Sequence, residues 1–169
     1  MTENSKHSAS EVTLRVPVVS DVAKMAALIN SYAGDALMLP RSHNSLYQHL
    51  RDFCVLEHGD DIVGCGALQV VWEDSAEIRS LAIAEGWQGM GLGRRLVERL
   101  LEEAKRIEVP TVFTLTYKPG FFEAFGFAVV SRDTLPHKIW ADCLDCPKFP
   151  NCDEIAMTLD LKTKESHDG

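Results

Sequence analysis

Three glycines fall within the seven residues Gln88-Gly89-Met90-Gly91-Leu92-Gly93-Arg94, directly ahead of a segment with helical periodicity. Glycine lets a backbone turn tightly and approach a ligand, and the first N–H groups of a helix carry partial positive charge. A loop of this kind suits a pyrophosphate. Arg94 and Arg95 add full charges in the first helical turn, or point to solvent. The spacing excludes two nucleotide fingerprints: Arg94 stands where the third glycine of a dinucleotide loop would fall, and no Gly-Lys-Ser/Thr is present for a P-loop. A plain strand-to-helix turn would use the same glycines. The remaining pattern is Gln-x-x-Gly-x-Gly.

A second cluster with chemical potential is Cys143-x-x-Cys146, followed after five residues by Cys152. With His137 as a fourth ligand it could hold zinc in tetrahedral N/S coordination. Buried free cysteines or a redox-sensitive pair fit the spacing as well, and no metal is assigned. Together with Cys54 and Cys65 these make five cysteines without a secretion signal, a poor fit to a disulfide framework.

The elements that must position the loop can be traced by periodicity. Val12–Val18 alternates as a strand, and Ser20 offers an N-cap to an apolar-periodic run from Val22 to Tyr32. A loop over Gly34–Ser42 leads to a short helix capped by Ser42 and running to Asp52. Phe53–Glu57, Ile62–Trp72 and Ala76–Ala84 read as three strands of an antiparallel meander, the first two joined by the turn His58–Asp61. From Leu92 the positions Leu92, Leu96, Val97, Leu100, Leu101, Ala104 and Ile107 form one apolar stripe of a helix, which Pro110 ends. Thr111–Thr116, Gly120–Gly126 and Phe127–Val130 read as strand, helix and strand, and Glu154–Leu161 closes the sheet.

The expected organisation is a polar tail over residues 1–11, one α/β domain over 12–161, and a second tail over 162–169. The length of 169 residues supports one domain with a substantial core. A formal net charge of -8 argues against a nucleic-acid partner, and an acidic small substrate would need local cationic groups. No apolar run approaches the roughly 18 residues of a membrane span, and a cytoplasmic location is expected.

The Gln88–Gly93 loop, with the Leu81-Ala82-Ile83 strand end before it and Phe122-Glu123-Ala124-Phe125-Gly126-Phe127 near the end, resembles the acetyl-CoA site of GNAT N-acetyltransferases. The resemblance implies the GNAT fold: a mixed, mostly antiparallel central sheet flanked by helices, with a splayed strand pair holding acetyl-CoA. It implies that pantetheine pairs with the backbone of Leu81, Ala82 and Ile83. The amides of Gln88, Gly89, Met90, Gly91, Leu92, Gly93 and Arg94 would then hold the pyrophosphate. Many GNAT enzymes protonate the departing thiolate with a tyrosine, at the position where this chain has Phe122.

Within that family the chain is similar to short stand-alone N-acetylglutamate synthases. Four segments carry this: Met38–Ser42, Ala76–Ala82, Leu115-Thr116, and Leu135–Trp140 through the cysteines to Glu154. The similarity implies a small-molecule amine, L-glutamate, acetylated on its α-amine in arginine biosynthesis. Glu77 would be the general base, since an ammonium cannot attack a thioester and burial would raise a glutamate's proton affinity. A solvent-facing carboxylate, or one paired with Arg79, is the plain alternative. Thr116 would protonate the thiolate, Arg41 would clamp a carboxylate with two parallel hydrogen bonds, and Arg79 and Ser80 would contact substrate. The Arg-x-Ser element of longer synthases is replaced by Pro150-Asn151-Cys152, with Lys138 or Lys148 as substitutes. Other acceptors (another amino acid, a polyamine, a protein N-terminus), a non-catalytic acetyl-CoA-binding module, and a homodimer stay open.

One geometric condition follows. Alternate residues of a strand share a face, so Glu77 and Ser80 can serve one substrate only if the strand is irregular between Ala76 and Ile83. Such a bulge would also splay this strand from the one after the long helix.

Overall fold

The computed structural model describes residues 11–34, 41–135 and 154–161. In chain order the elements are β1 (Thr13–Arg15), α1 (Val22–Gly34), α2 (His43–Gln48), β2 (Phe53–His58), β3 (Asp61–Trp72), β4 (Ser75–Ile83), α3 (Leu92–Arg106), β5 (Thr111–Thr116), α4 (Pro119–Glu123), β6 (Ala128–Val129) and β7 (Ile155–Asp160). The strands form a seven-stranded sheet in the order β1-β2-β3-β4-β5-β7-β6. β4 and β5 run parallel, while β1–β2, β2–β3, β5–β7 and β6–β7 are antiparallel. This is the mixed, mostly antiparallel sheet with flanking helices that the resemblance implies.

The described residues up to Ala67, with Ser80–Arg99, make one compact unit. Its core is the apolar face of α1, where Val22, Met25, Ala26 and Ile29 recur at helical spacing and are buried. They pack with Leu46 of α2, Phe53 and Val55 of β2, Ile62, Cys65 and Ala67 of β3, and Ala82 of β4. Each fully buried large aliphatic side chain contributes about 1.5–3 kcal/mol, so this face holds α1 firmly. Ser42 Oγ accepts from Ser45 N at 3.0 Å and caps α2 as expected.

Leu68–Arg79, with the described residues from Leu100 onward, makes a second unit. Here β5 and β7 pair over their whole lengths, from Thr111↔Asp160 to Thr116↔Ile155. Phe113, Ala156 and Leu135 form its buried apolar centre.

Some boundaries differ from the sequence expectations for identifiable reasons. β1 is only three residues long, and Val16 and Val18 beyond it are exposed. Ser20 lies inside a 3-10 turn (Val19–Asp21) ahead of α1. In α3 the residues Leu92, Leu96, Val97, Leu100 and Ala104 are buried, whereas Ile107 is 38% exposed. α3 stops before Pro110 is reached: Glu108 adopts a left-handed φ of 62°, with Glu108 N donating to Lys105 O and Val109 N to Ala104 O. That double bond is a Schellman cap, which turns Ile107 out of the stripe.

The start of the first unit is fastened by charge. Arg15 of β1 donates to both carboxylate oxygens of Asp21 at 2.7 and 2.9 Å and to Glu57 of β2. Asp21 also accepts from Val18 N at 2.7 Å. The hydrogen bonds from Arg15 hold the Asp21 carboxyl below its ordinary value of 3.8, and burial opposes them. A folded-state pKa that is depressed gives stability present above the unfolded value and lost as pH falls toward the folded one. Asp21→Asn should therefore lower the melting temperature at neutral pH, by the equivalent of about 1–3 kcal/mol. The gap from the parent should close as pH drops below 3.8, a difference that thermal melts across pH would show. At the far end of α3, Glu108→Gly should raise stability by about 0.5–1 kcal/mol in denaturant melts, because a left-handed residue is strained with a Cβ.

Candidate functional site

β4 ends at Ile83, and the chain reaches α3 through the glycine loop. Gly89 and Gly91 have φ of 77° and 78°, and a Cβ built on either would meet no atom within 4 Å. Backbone conformation therefore selects glycine there, and the space over the loop is open to an incoming group. Trp87 anchors the loop: it is buried, its N donates to Ala84 O at 3.0 Å, and its ring lies 4.7 Å from that of His58. The helical ladder of α3 begins with Arg95 N to Gly91 O at 3.2 Å, so the amides expected to face phosphate precede it. Both arginine side chains are engaged elsewhere. Arg94 pairs with Glu98 at 2.9 Å, and Arg95 donates to Val12 O at 3.1 Å. Backbone amides and the helix dipole add positive character at the loop.

Two α1 residues that carry no distinguishing sequence pattern hold the neighbouring parts of the first unit. The Tyr32 hydroxyl donates to Ile83 O and accepts from Gln88 Nε2. Asn30 makes a reciprocal pair with the backbone of Arg41: Nδ2 donates to Arg41 O at 3.0 Å and Oδ1 accepts from Arg41 N at 2.9 Å. Their only sequence signal is a polar side chain near the end of an amphipathic helix, which says nothing of partners far along the chain.

Arg41 itself is buried, 7% exposed. Its guanidinium donates to Ser45 Oγ at 3.0 Å and Ser80 Oγ at 3.4 Å, and lies 5.3 Å from the centre of the Phe53 ring. The structure thus brings together Arg41 and Ser80, both expected from sequence to contact substrate. Ser80 has a left-handed φ of 56°, an irregularity within β4. Its carbonyl accepts from the Cys65 thiol at 3.5 Å. Burial pushes that thiol up to about 12, so the sulfur keeps the proton it donates.

The second unit carries the remaining candidates. Glu77 is 8% exposed, and its Oε1 lies 3.7 Å from Arg79 Nη1. Arg79 also donates to Gln69 Oε1 at 3.1 Å. β4 pairs with β5 only at Ser75↔Thr111, Ala76↔Val112 and Glu77↔Phe113, although both strands continue. At the next position Thr114 Oγ1 donates to Ile78 O at 3.0 Å, a side-chain bond beyond the last backbone rung. Thr116 is buried, and its Oγ1 accepts from Lys118 N at 2.9 Å. Phe122 is core: its ring meets Phe121 and Phe127 edge-on at 5.1 and 5.4 Å.

His137, Lys138, Cys143, Cys146, Lys148 and the Pro150-Asn151-Cys152 stretch lie outside the described residues. Among the described residues no His, Cys, Asp and Glu cluster is placed to hold a metal.

Residues 49–129 match the model of an acetyltransferase (GNAT) domain. The chain is 37% identical over 153 residues to an uncharacterized N-acetyltransferase of Chlorobaculum tepidum, covering 90% of this chain and 99% of that protein. It is 39% identical over 114 residues to an amino-acid acetyltransferase of Mycobacterium tuberculosis, covering 66% of this chain and 65% of the relative. Among solved structures, a Mycobacterium tuberculosis protein in complex with CoA superimposes with a TM-score of 0.78 at 32% identity, covering 88% of this chain and 99% of the other. The N-acetylglutamate synthase of Neisseria gonorrhoeae, complexed with coenzyme A and N-acetylglutamate, superimposes with a TM-score of 0.80 at 28% identity, covering 89% of this chain and 35% of the synthase.

Acetyl-CoA is the cosubstrate these relatives indicate, and the loop assignment makes a direct expectation for it. Gly91→Val places a β-branched side chain at a positive φ and fills the open space over the loop. The variant should stay folded, because no neighbour is displaced, yet bind CoA about five- to thirtyfold more weakly, since the relaxed loop must regain on binding a conformation that costs a residue with a Cβ about 1–2 kcal/mol. Isothermal titration of CoA into the folded variant checks this; unchanged affinity would remove the loop from the site.

Proposed function

The chain belongs to the GNAT acetyltransferase family and is an acetyl-CoA-dependent N-acetyltransferase, and we propose that the amine it acetylates is the α-amine of L-glutamate. The observation that carries this reading is Arg41. A buried guanidinium, held by Ser45 and Ser80 hydroxyls and by a backbone clasp to Asn30, is a fixed fork for a carboxylate. An amine that carries an α-carboxylate is the acceptor class such a fork favours, and the fork overcomes the repulsion of a chain with net charge -8 by local geometry. Relatives named amino-acid acetyltransferase, and a neighbour solved with N-acetylglutamate, support the same choice. The proposed setting is arginine biosynthesis in the cytoplasm.

In the proposed reaction the α-ammonium first loses a proton, at about 1.4 kcal/mol for each pH unit below its pKa. Glu77 is the proposed acceptor of that proton. Its Oε1 lies 3.7 Å from Arg79 Nη1. The amine lone pair then attacks the thioester carbonyl carbon, the C–N bond forms, and the C–S bond breaks. The departing thiolate takes a proton. Phe122 has none to give, and the proposed donor is Thr116, whose oxygen accepts from Lys118 N and so directs its own O–H away from that amide. The second proton of the newly acylated nitrogen, passed through water, returns to the Thr116 oxygen and leaves a neutral amide and a neutral thiol. Acetyl-CoA supplies the reactive thioester, and the protein supplies orientation and proton transfer.

Thiol release should be followed with acetyl-CoA and a panel of amino acids, polyamines and peptide N-termini. Release that depends on glutamate is the expected result. Release only with another amine would replace the proposed acceptor, and CoA binding without release would reduce the chain to a binding module. Arg41→Lys should raise the glutamate KM roughly tenfold to a hundredfold through loss of the bidentate pair, and leave the acetyl-CoA KM within about twofold. Equal changes in both constants would count against the clamp.

A further inference from the structure

Tyr32 of α1 is partly buried and packs against the first unit's core cluster, to which α1 contributes Val22, Met25, Ala26 and Ile29. Its hydroxyl bridges two segments that have different ligand roles. It donates to the carbonyl of Ile83, the last residue of β4, and accepts from Nε2 of Gln88, the first residue of the glycine loop, at 2.6 Å. Gln88 Nε2 also reaches Ile83 O at 3.4 Å, closing a three-member network. α1 is anchored by fully buried side chains, so the phenol is presented from a rigid element. A carbonyl has two acceptor positions, and Tyr32 and Gln88 approach both of those on Ile83, which fixes that carbonyl between the helix and the loop.

We propose that Tyr32 is a positioning residue that fixes the spacing between the strand end that meets the pantetheine arm and the loop that meets the diphosphate. This inference rests on assigning Leu81–Ile83 and Gln88–Arg94 to acetyl-CoA. CoA is a long ligand with contacts at both places, and it gains from their connection only while their separation matches its own. Without the phenol the Trp87 turn and the long Gln88–Ile83 bond still join the strand end to the loop, but their spacing is held less tightly, and each CoA molecule must order it on binding. A fragment that meets the loop alone is indifferent to that spacing. The tyrosine therefore acts on the joined ligand and spares its parts.

The test uses Tyr32→Phe, which keeps the ring that packs on the core and removes only the hydroxyl. Titration of CoA should show about five- to tenfold weaker binding, the loss expected for one or two net hydrogen bonds. The nucleotide fragment 3′-phospho-ADP, measured by competition on the same protein, should bind within about twofold of the parent. Unchanged CoA affinity, or equal losses for CoA and fragment, overturns the proposal. A merely structural hydroxyl would lower the melting temperature without splitting the two ligands. Gly91→Val separates the premise from the inference. Loss of both ligands in Gly91→Val with no loss in Tyr32→Phe rejects the tether alone, and no loss of either ligand in Gly91→Val rejects the loop assignment.

Discussion

The left-handed backbone of Ser80 is the constraint on which the arrangement of β4 depends. A residue with a Cβ at φ 56° costs about 1–2 kcal/mol in the middle of a strand. Local bonds hold it there: the Cys65 thiol donates to its carbonyl, and Arg41 donates to its hydroxyl. Glycine would relieve the strain but would remove the hydroxyl that receives Arg41. The two-residue alternation of β4 breaks at this point, so the stretch carrying Glu77 and the stretch Leu81–Ile83 need not obey a common facing rule. One strand can then serve two jobs, a ladder with β5 before Ser80 and, in the proposed assignment, a ligand edge after it.

The ladder side of that division has its own stop. β4 and β5 share three rungs and then cease to pair, although each strand continues. Thr114 supplies the reason, since its buried hydroxyl satisfies Ile78 O with a side-chain bond. A buried carbonyl must have a partner, and giving it a hydroxyl lets the next backbone rung go unformed without leaving an orphaned acceptor. The sequence Thr111–Thr116 reads as a strand by its β-branched content, but that content cannot reveal which threonine turns its oxygen to a neighbour.

Much of the fold was legible because it rests on periodicity. The apolar stripe of α3, the four buried positions of α1 and the limits of β5 follow from residue type and spacing alone. The misses have a common origin in hydrogen-bond geometry: Glu108 ends α3 through a Schellman cap although it is no glycine, and a 3-10 turn takes up Ser20. The same holds for the candidate site. Arg41, Glu77, Ser80 and the glycine loop stand out by resemblance and by chemistry, whereas Asn30 and Tyr32 become visible only through contacts that span 11 and 51 residues.

The handling of charge then follows. Both proposed ligands, acetyl-CoA and glutamate, are anions, and the chain carries a net charge of -8. Arginines at the mouth of the loop would be the simplest remedy, yet Arg94 is paired with Glu98 and Arg95 with a backbone carbonyl. What the loop offers instead is amide dipoles, which attract phosphate over short range and add no net charge to the field. The full positive charge sits in Arg41, buried and aimed by hydroxyls, where solvent screening is weak. A diphosphate, which is large and multiply charged, can be held by many weak dipoles spread along a loop. A single carboxylate on a small molecule offers one short contact, and only a fixed, fully charged fork gives that contact enough strength and direction to select it.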